Sequence, residues 1–138
     1  MNYRTVTIRI LSVWFALVLL GIIVVADMDM GVAVYGHLCN FRYFDKLGHF
    51  LLMGGMAFMI NLSLDARRVS FCQQEWLVGS LAVMLFVLAE ECTQIWMPHR
   101  QFQISDLLCD GLGILLFGRA ASWLVDQRSR RLARLTPE

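Results

Sequence analysis

Four long apolar runs divide this chain, at residues 10–26, 47–64, 76–97 and 104–125. The first, ILSVWFALVLLGIIVVA, carries no charge at all. Each is near the roughly 17–25 residues that a helix needs to cross a bilayer. In lipid a segment must satisfy its own backbone N–H and C=O groups, and a helix does so internally. The composition agrees: 58% hydrophobic and 17% charged, with mean hydropathy +0.60, is too apolar for an ordinary small soluble domain. The expected fold is an all-α membrane protein, one domain over residues 1–138 forming a four-transmembrane-helix bundle. Val24 and Ala26 would suit a signal-peptide cleavage site. The length of that run, and the need of the later runs for a helical partner, favour a retained first helix.

Lys and Arg placement sets the expected orientation. Arg4, Arg9, Arg67, Arg68, Arg119, Arg128, Arg130, Arg131 and Arg134 fall at the N-terminus, in the second loop and at the C-terminal end. The first and third loops hold Arg42, Lys46 and Arg100. Cytoplasmic loops carry the basic excess, so both termini are expected in the cytoplasm of a multi-pass protein of the bacterial inner membrane. Residues 126–138 then read as a basic cytoplasmic tail that anchors the orientation or attracts anionic lipid, at roughly 1 kcal/mol per basic residue. The first loop, residues 27–46, carries Tyr35, Phe41, Tyr43 and Phe44, which suit the headgroup level.

Gly54, Gly55 and Ala57 in the second run, and Gly111, Gly113, Gly118, Ala120 and Ala121 in the fourth, are small residues that let backbones approach closely. They suit either packing within the chain or homo-oligomer formation. The eight methionines fill gaps in an apolar bundle. Cys39, Cys72, Cys92 and Cys109 form no CxxC pair and read as free thiols.

Polar residues concentrate where the runs begin and end. Asp45, Lys46 and His49 open the second run; Glu90, Glu91 and Gln94 close the third; Arg100 lies in the link, with Ser105 a candidate N-cap; Asp106 and Asp110 open the fourth. Asp45 and His49 are i,i+4, Glu91 and Gln94 i,i+3, and Asp106, Asp110 and Gly113 form one stripe. With both termini on one side, all these helix ends meet at the other. Ionisable groups at membrane depth cost roughly 2.5–3.5 kcal/mol each on insertion scales and usually face a bundle interior or a pathway. Crowded carboxylates cannot all ionise cheaply, so one or more should be protonated, paired with Arg100 or bound to a cation. His49 beside carboxylates has acceptable ligand types for a metal, but the spacing fixes no geometry. Neither a metal nor a cofactor is expected. His37 and His99 read as interfacial.

The stretch from Phe44 to Phe50, FDKLGHF, resembles the DKxxHF signature of VanZ-like membrane proteins. Glu91, Gln94, Pro98, Arg100, Asp106 and Gly113 resemble that family's second signature, E-x-x-Q, then P-x-R, then D leading into a glycine-bearing helix. The likeness spans residues 45–118. Asp110 stands where the family usually has Asn, and His99 where Gly is common. The resemblance implies a small cell-envelope protein of four helices, with teicoplanin-type glycopeptide resistance as the role behind the family's name.

Three functions compete on these residues. In the first, Asp45, Lys46, His49, Glu91, Gln94, Arg100, Asp106 and Asp110 line an outward-facing pocket for a lipid-linked or glycopeptide-type ligand. In the second, an intramembrane enzyme acts on a lipid or lipid-linked substrate. There His49 is base or nucleophile, Glu91 or Asp106 orients it, and Arg100 stabilises developing negative charge. In the third, the polar set only clasps the helices together. Membrane lipids are the expected surroundings, and no nucleic-acid partner is expected.

Overall fold

A computed structural model describes residues 3–27, 44–94 and 103–135. Four helices dominate them: α1 (Tyr3–Asp27), α2 (Phe44–Ser63), α3 (Val78–Gln94) and α4 (Ile104–Leu135). The described residues are all-α apart from one hairpin, β1 (Arg68–Phe71) and β2 (Gln74–Leu77). Most of the first loop (with His37 and Cys39), the link holding Pro98, His99 and Arg100, and the side chain of Gln94 lie outside the described residues.

The helix directions follow from which residues touch. Ser12 of α1 meets Met59 and Ser63 of α2, while Phe15 lies against Gly55, so α1 and α2 are antiparallel. Asn61, at the end of α2, bonds Ser80 at the start of α3, so these two are antiparallel as well. Lys46 meets Asp106, His49 meets Asp110 and Gly54 meets Phe117; numbers rise together, so α2 and α4 run parallel. The start of α1, the hairpin and the end of α4 therefore gather at one end. The starts of α2 and α4 gather at the other.

Small residues allow the closest approach. A Cβ on Gly113 would collide with the backbone carbonyl of Phe50, and one on Gly54 would lie 2.8 Å from the Phe117 ring. Phe50 and Phe117 themselves meet edge to face, 5.7 Å between centroids. Thus the small faces of α2 and α4 are used within the chain. The apolar core comprises Leu19, Met53, Met56, Ala57, Val83, Val87 and Ile114, and every helix also exposes large apolar side chains outward.

Among the described residues, two helices are long and apolar enough to cross a membrane by length and composition: α1 over Val6–Val25, with mean hydropathy 2.7, and α4, with 1.4.

The hairpin departs from the expected short loop at residues 65–75 and a helix beginning at Trp76. Trp76 and Leu77 belong to β2, with Trp76 opposite Val69. Aromatic and β-branched residues favour a strand here, and Cys72 and Gln73 adopt φ of 50° and 62°, as a tight two-residue hairpin turn requires. Arg68 bonds Glu75 across the hairpin at 3.1 Å and Ser122 of α4 at 2.8 Å. The end of α2 is closed by Ala66 N–H donating to Asn61 O and Asp65 N–H to Leu62 O. This Schellman pattern has Asp65 at the left-handed position usually given to glycine.

The expected tail is also different, because α4 continues from the apolar part through to Leu135. Arg, Leu, Ala and Gln are strong helix formers, so the helix outlasts its hydrophobicity.

Candidate functional site

Because α2 and α4 run in parallel, two basic residues three apart on α2 face two acids four apart on α4. Lys46 Nζ donates to Asp106 Oδ1 and to Ser105 Oγ, both at 2.7 Å. One turn deeper, His49 Nδ1 lies 3.2 Å from both oxygens of Asp110. At 1.5 Å per residue Asp110 sits about 6 Å below Asp106 along the helix. Burial follows the depth: Asp106 is 5% exposed and Asp110 1%.

Ser105 does not cap α4. Helix α4 begins one residue earlier, and the Gln103 carbonyl accepts from Asp106 and Leu107 N–H. The Ser105 hydroxyl instead donates to Asp106 at 3.3 Å while accepting from Lys46. Asp106 in the first turn also lies in the favourable field of the helix N-terminus. The hydrogen bond to Asp106 holds the Lys46 amine above the ordinary lysine range, against the opposing pull of desolvation.

Helix α3 supplies Glu91, which is 2% exposed and whose Oε2 has no hydrogen-bond partner among the described residues. Its carboxyl lies within electrostatic reach of His49, Asp106 and Asp110. Buried polar atoms are normally satisfied, and an orphan invites an explanation. Asp45 is exposed, yet one potential ligand atom from each of Asp45, His49 and Asp106 lies within 4.8 Å of the others.

Asp45, Lys46, His49, Glu91, Asp106 and Asp110 are therefore gathered at one end of the bundle. Gln94 ends α3, but its side chain lies outside the described residues, as does Arg100. The partner of His49 is Asp110, whereas Glu91 or Asp106 was expected to orient the ring. A histidine held by a buried carboxylate can bind a ligand, carry a proton or ligate a metal.

A second polar layer lies toward the opposite end. Asn61 is fully buried; its Nδ2 donates to Ser80 Oγ at 2.9 Å, and its Oδ1 has no partner among the described residues. Gly79 and Gly118 close around it. An amide inside an apolar run was the signal in the sequence. Cys72, Cys92 and Cys109 are free thiols, none of them buried.

Compared with known proteins, the chain matches no family model, no curated protein and no solved structure.

Proposed function

We propose that this chain is a VanZ-like, multi-pass protein of the bacterial inner membrane, with four spanning helices and both termini in the cytoplasm. On this reading its outward-facing polar site binds a lipid-linked or glycopeptide-type envelope ligand and contributes to teicoplanin tolerance. Helices α2 and α3 complete the bundle between the two apolar helices, and their outward faces carry large exposed side chains such as Leu51 and Leu85. Basic residues Arg67 and Arg68 sit beside a hairpin with exposed Phe71 and Trp76, as at an interface on the cytoplasmic side.

The observation that carries the proposal is the gathering of Lys46, His49, Glu91, Asp106 and Asp110 from three helices, with one buried carboxylate oxygen unpartnered among the described residues. The cluster combines an ammonium for an anionic headgroup with carboxylates for amines or hydroxyls. The test is binding of a lipid-linked cell-wall precursor, and separately of teicoplanin, to protein in nanodiscs, alongside tolerance in cells. Lys46→Ala and His49→Ala should weaken both binding and tolerance while the protein stays folded. Unchanged binding and tolerance in both folded variants would remove this function.

The His49–Asp110 pair favours a second reading. A base held by a carboxylate is the geometry of general base catalysis. As an enzyme acting on a lipid or lipid-linked substrate, the protein would lose turnover in His49→Gln. No turnover by the wild-type protein across a panel of phospholipid and polyprenyl-phosphate substrates would dismiss it.

A further inference from the structure

We propose that Asp45, His49 and Asp106 form a binding site for a divalent transition-metal ion of the zinc class. The inference concerns the polar site of the proposed pocket and deepens that reading. One potential ligand atom from each residue lies within 4.8 Å of the other two. Around a tetrahedral zinc with bonds of roughly 2.0–2.1 Å, ligand atoms stand about 3.4 Å apart. Side-chain rotation at the exposed Asp45 can shorten its own distances to the other two.

A cluster of this kind would mean little without Glu91. That residue is 2% exposed, and its Oε2 has no partner among the described residues. It stands on a third helix, within electrostatic reach of His49, Asp106 and Asp110. A buried carboxylate oxygen within electrostatic reach of one imidazole and two further carboxylates is what a water-bearing metal would satisfy, as acceptor for the bound water.

The surrounding contacts fit the same assignment. Asp110 engages His49 at Nδ1, which leaves Nε2 as the nitrogen to ligate. Metal-bound histidines almost always donate their other ring N–H to such a carboxylate or to a carbonyl. Lys46 occupies Oδ1 of Asp106, leaving Oδ2 for the ion. Among the described residues, Asp45, Glu91, Asp106 and Asp110 outnumber Lys46 and His49, so the site has negative charge to spare for a cation. One imidazole with carboxylates suits zinc, cobalt or manganese better than calcium or magnesium, which take oxygen alone.

The test uses the full chain in nanodiscs, stripped with a chelator and titrated with Co2+ as a spectroscopic probe, with Zn2+ as competitor. Saturation at one Co2+ per chain is expected, with a visible band that Zn2+ abolishes. His49→Gln should eliminate the band. Asp45→Asn, at an exposed position that leaves the bundle intact, should weaken binding, and Asp110→Asn should weaken it by roughly 10–100-fold. Far-UV circular dichroism and melting accompany each variant. No saturable binding by the folded wild-type protein overturns the proposal, as does binding unchanged in both His49→Gln and Asp45→Asn. The two readings fail separately. Precursor binding by a folded protein that takes up no Co2+ sinks the metal alone. Stoichiometric Co2+ uptake with no precursor or teicoplanin binding sinks the envelope ligand alone.

Discussion

His49 on α2 and Asp110 on α4 stand opposite each other with Nδ1 3.2 Å from both carboxylate oxygens, in a setting where Asp110 is 1% exposed. Removing one member of a buried hydrogen-bonded pair leaves the other unsatisfied, at a cost of about 1–3 kcal/mol. Asp110→Ala should therefore destabilise the protein by about that much. Asp110→Asn keeps a carbonyl acceptor for the ring and should recover part of the loss. Denaturant unfolding in mixed micelles, followed by circular dichroism, measures both. An Asp110→Ala protein as stable as wild type would mean that the contact contributes nothing to the fold.

The parallel packing of α2 on α4 depends on Gly113 as much as on the charged pairs. A methyl group there meets the Phe50 carbonyl, which belongs to helix backbone and cannot swing aside as a side-chain tip can. Gly113→Ala should push the two helices apart and cost about 1–3 kcal/mol, the usual range for overpacking a close contact. Because Lys46–Asp106 and His49–Asp110 lie on the same helix pair, the substitution should also weaken ligand binding at the polar site without touching any ligand. Gly111→Ala is the control: its Cβ would meet only Met84 at 3.5 Å, so it should leave stability within about 0.5 kcal/mol of wild type.

Lys46 gives the pH dependence a definite sign. Its folded-state pKa is raised above the ordinary 10.5, first by the hydrogen bond to Asp106. A raised basic pKa contributes stability that is fully present below the unfolded value and is lost as pH rises through the folded one. Wild type should thus be more stable than Lys46→Gln at pH 7, with the gap closing only above about pH 10.5. Unfolding curves for the two proteins across the alkaline range measure this. A gap that closes between about pH 5 and 8 would assign the effect to another group.

The helices and the polar junctions were readable because hydrophobic length and i,i+3 or i,i+4 spacing are local properties. Lys46 and His49 on one face, and Asp106 and Asp110 on another, follow from helical period alone. That His49 takes Asp110 was not readable, since it depends on the register between α2 and α4. The Gly113–Phe50 and Gly54–Phe117 contacts set that register in three dimensions. The hairpin escaped notice because Cys72 and Gln73 occupy positions where Asn-Gly would announce a turn, and because Trp76 and Leu77 continue an apolar run into α3. The length of α4 was hidden for the opposite reason: hydropathy falls after Val125, while helix propensity does not.

The orientation can be tested through the same unexpected hairpin. Cys72 lies in its turn, exposed and free, at the end where α1 begins and α4 finishes. In a variant keeping Cys72 but with Cys39, Cys92 and Cys109 replaced by Ser, a membrane-impermeant maleimide should label the protein only after the cell membrane is opened. The converse variant keeps Cys92 alone, which is exposed near the end of α3 beside the polar site. It should react in intact cells if that site faces outward. Labelling of Cys72 in intact cells with protection of Cys92 would invert the topology and put the polar site in the cytoplasm, where an envelope ligand could not reach it. Labelling of both from outside would mean that α2 and α3 do not each carry the chain across. These outcomes separate four crossings from fewer, which helix length alone leaves open, because α3 has 17 residues and lies at the lower limit of about 17 for a span.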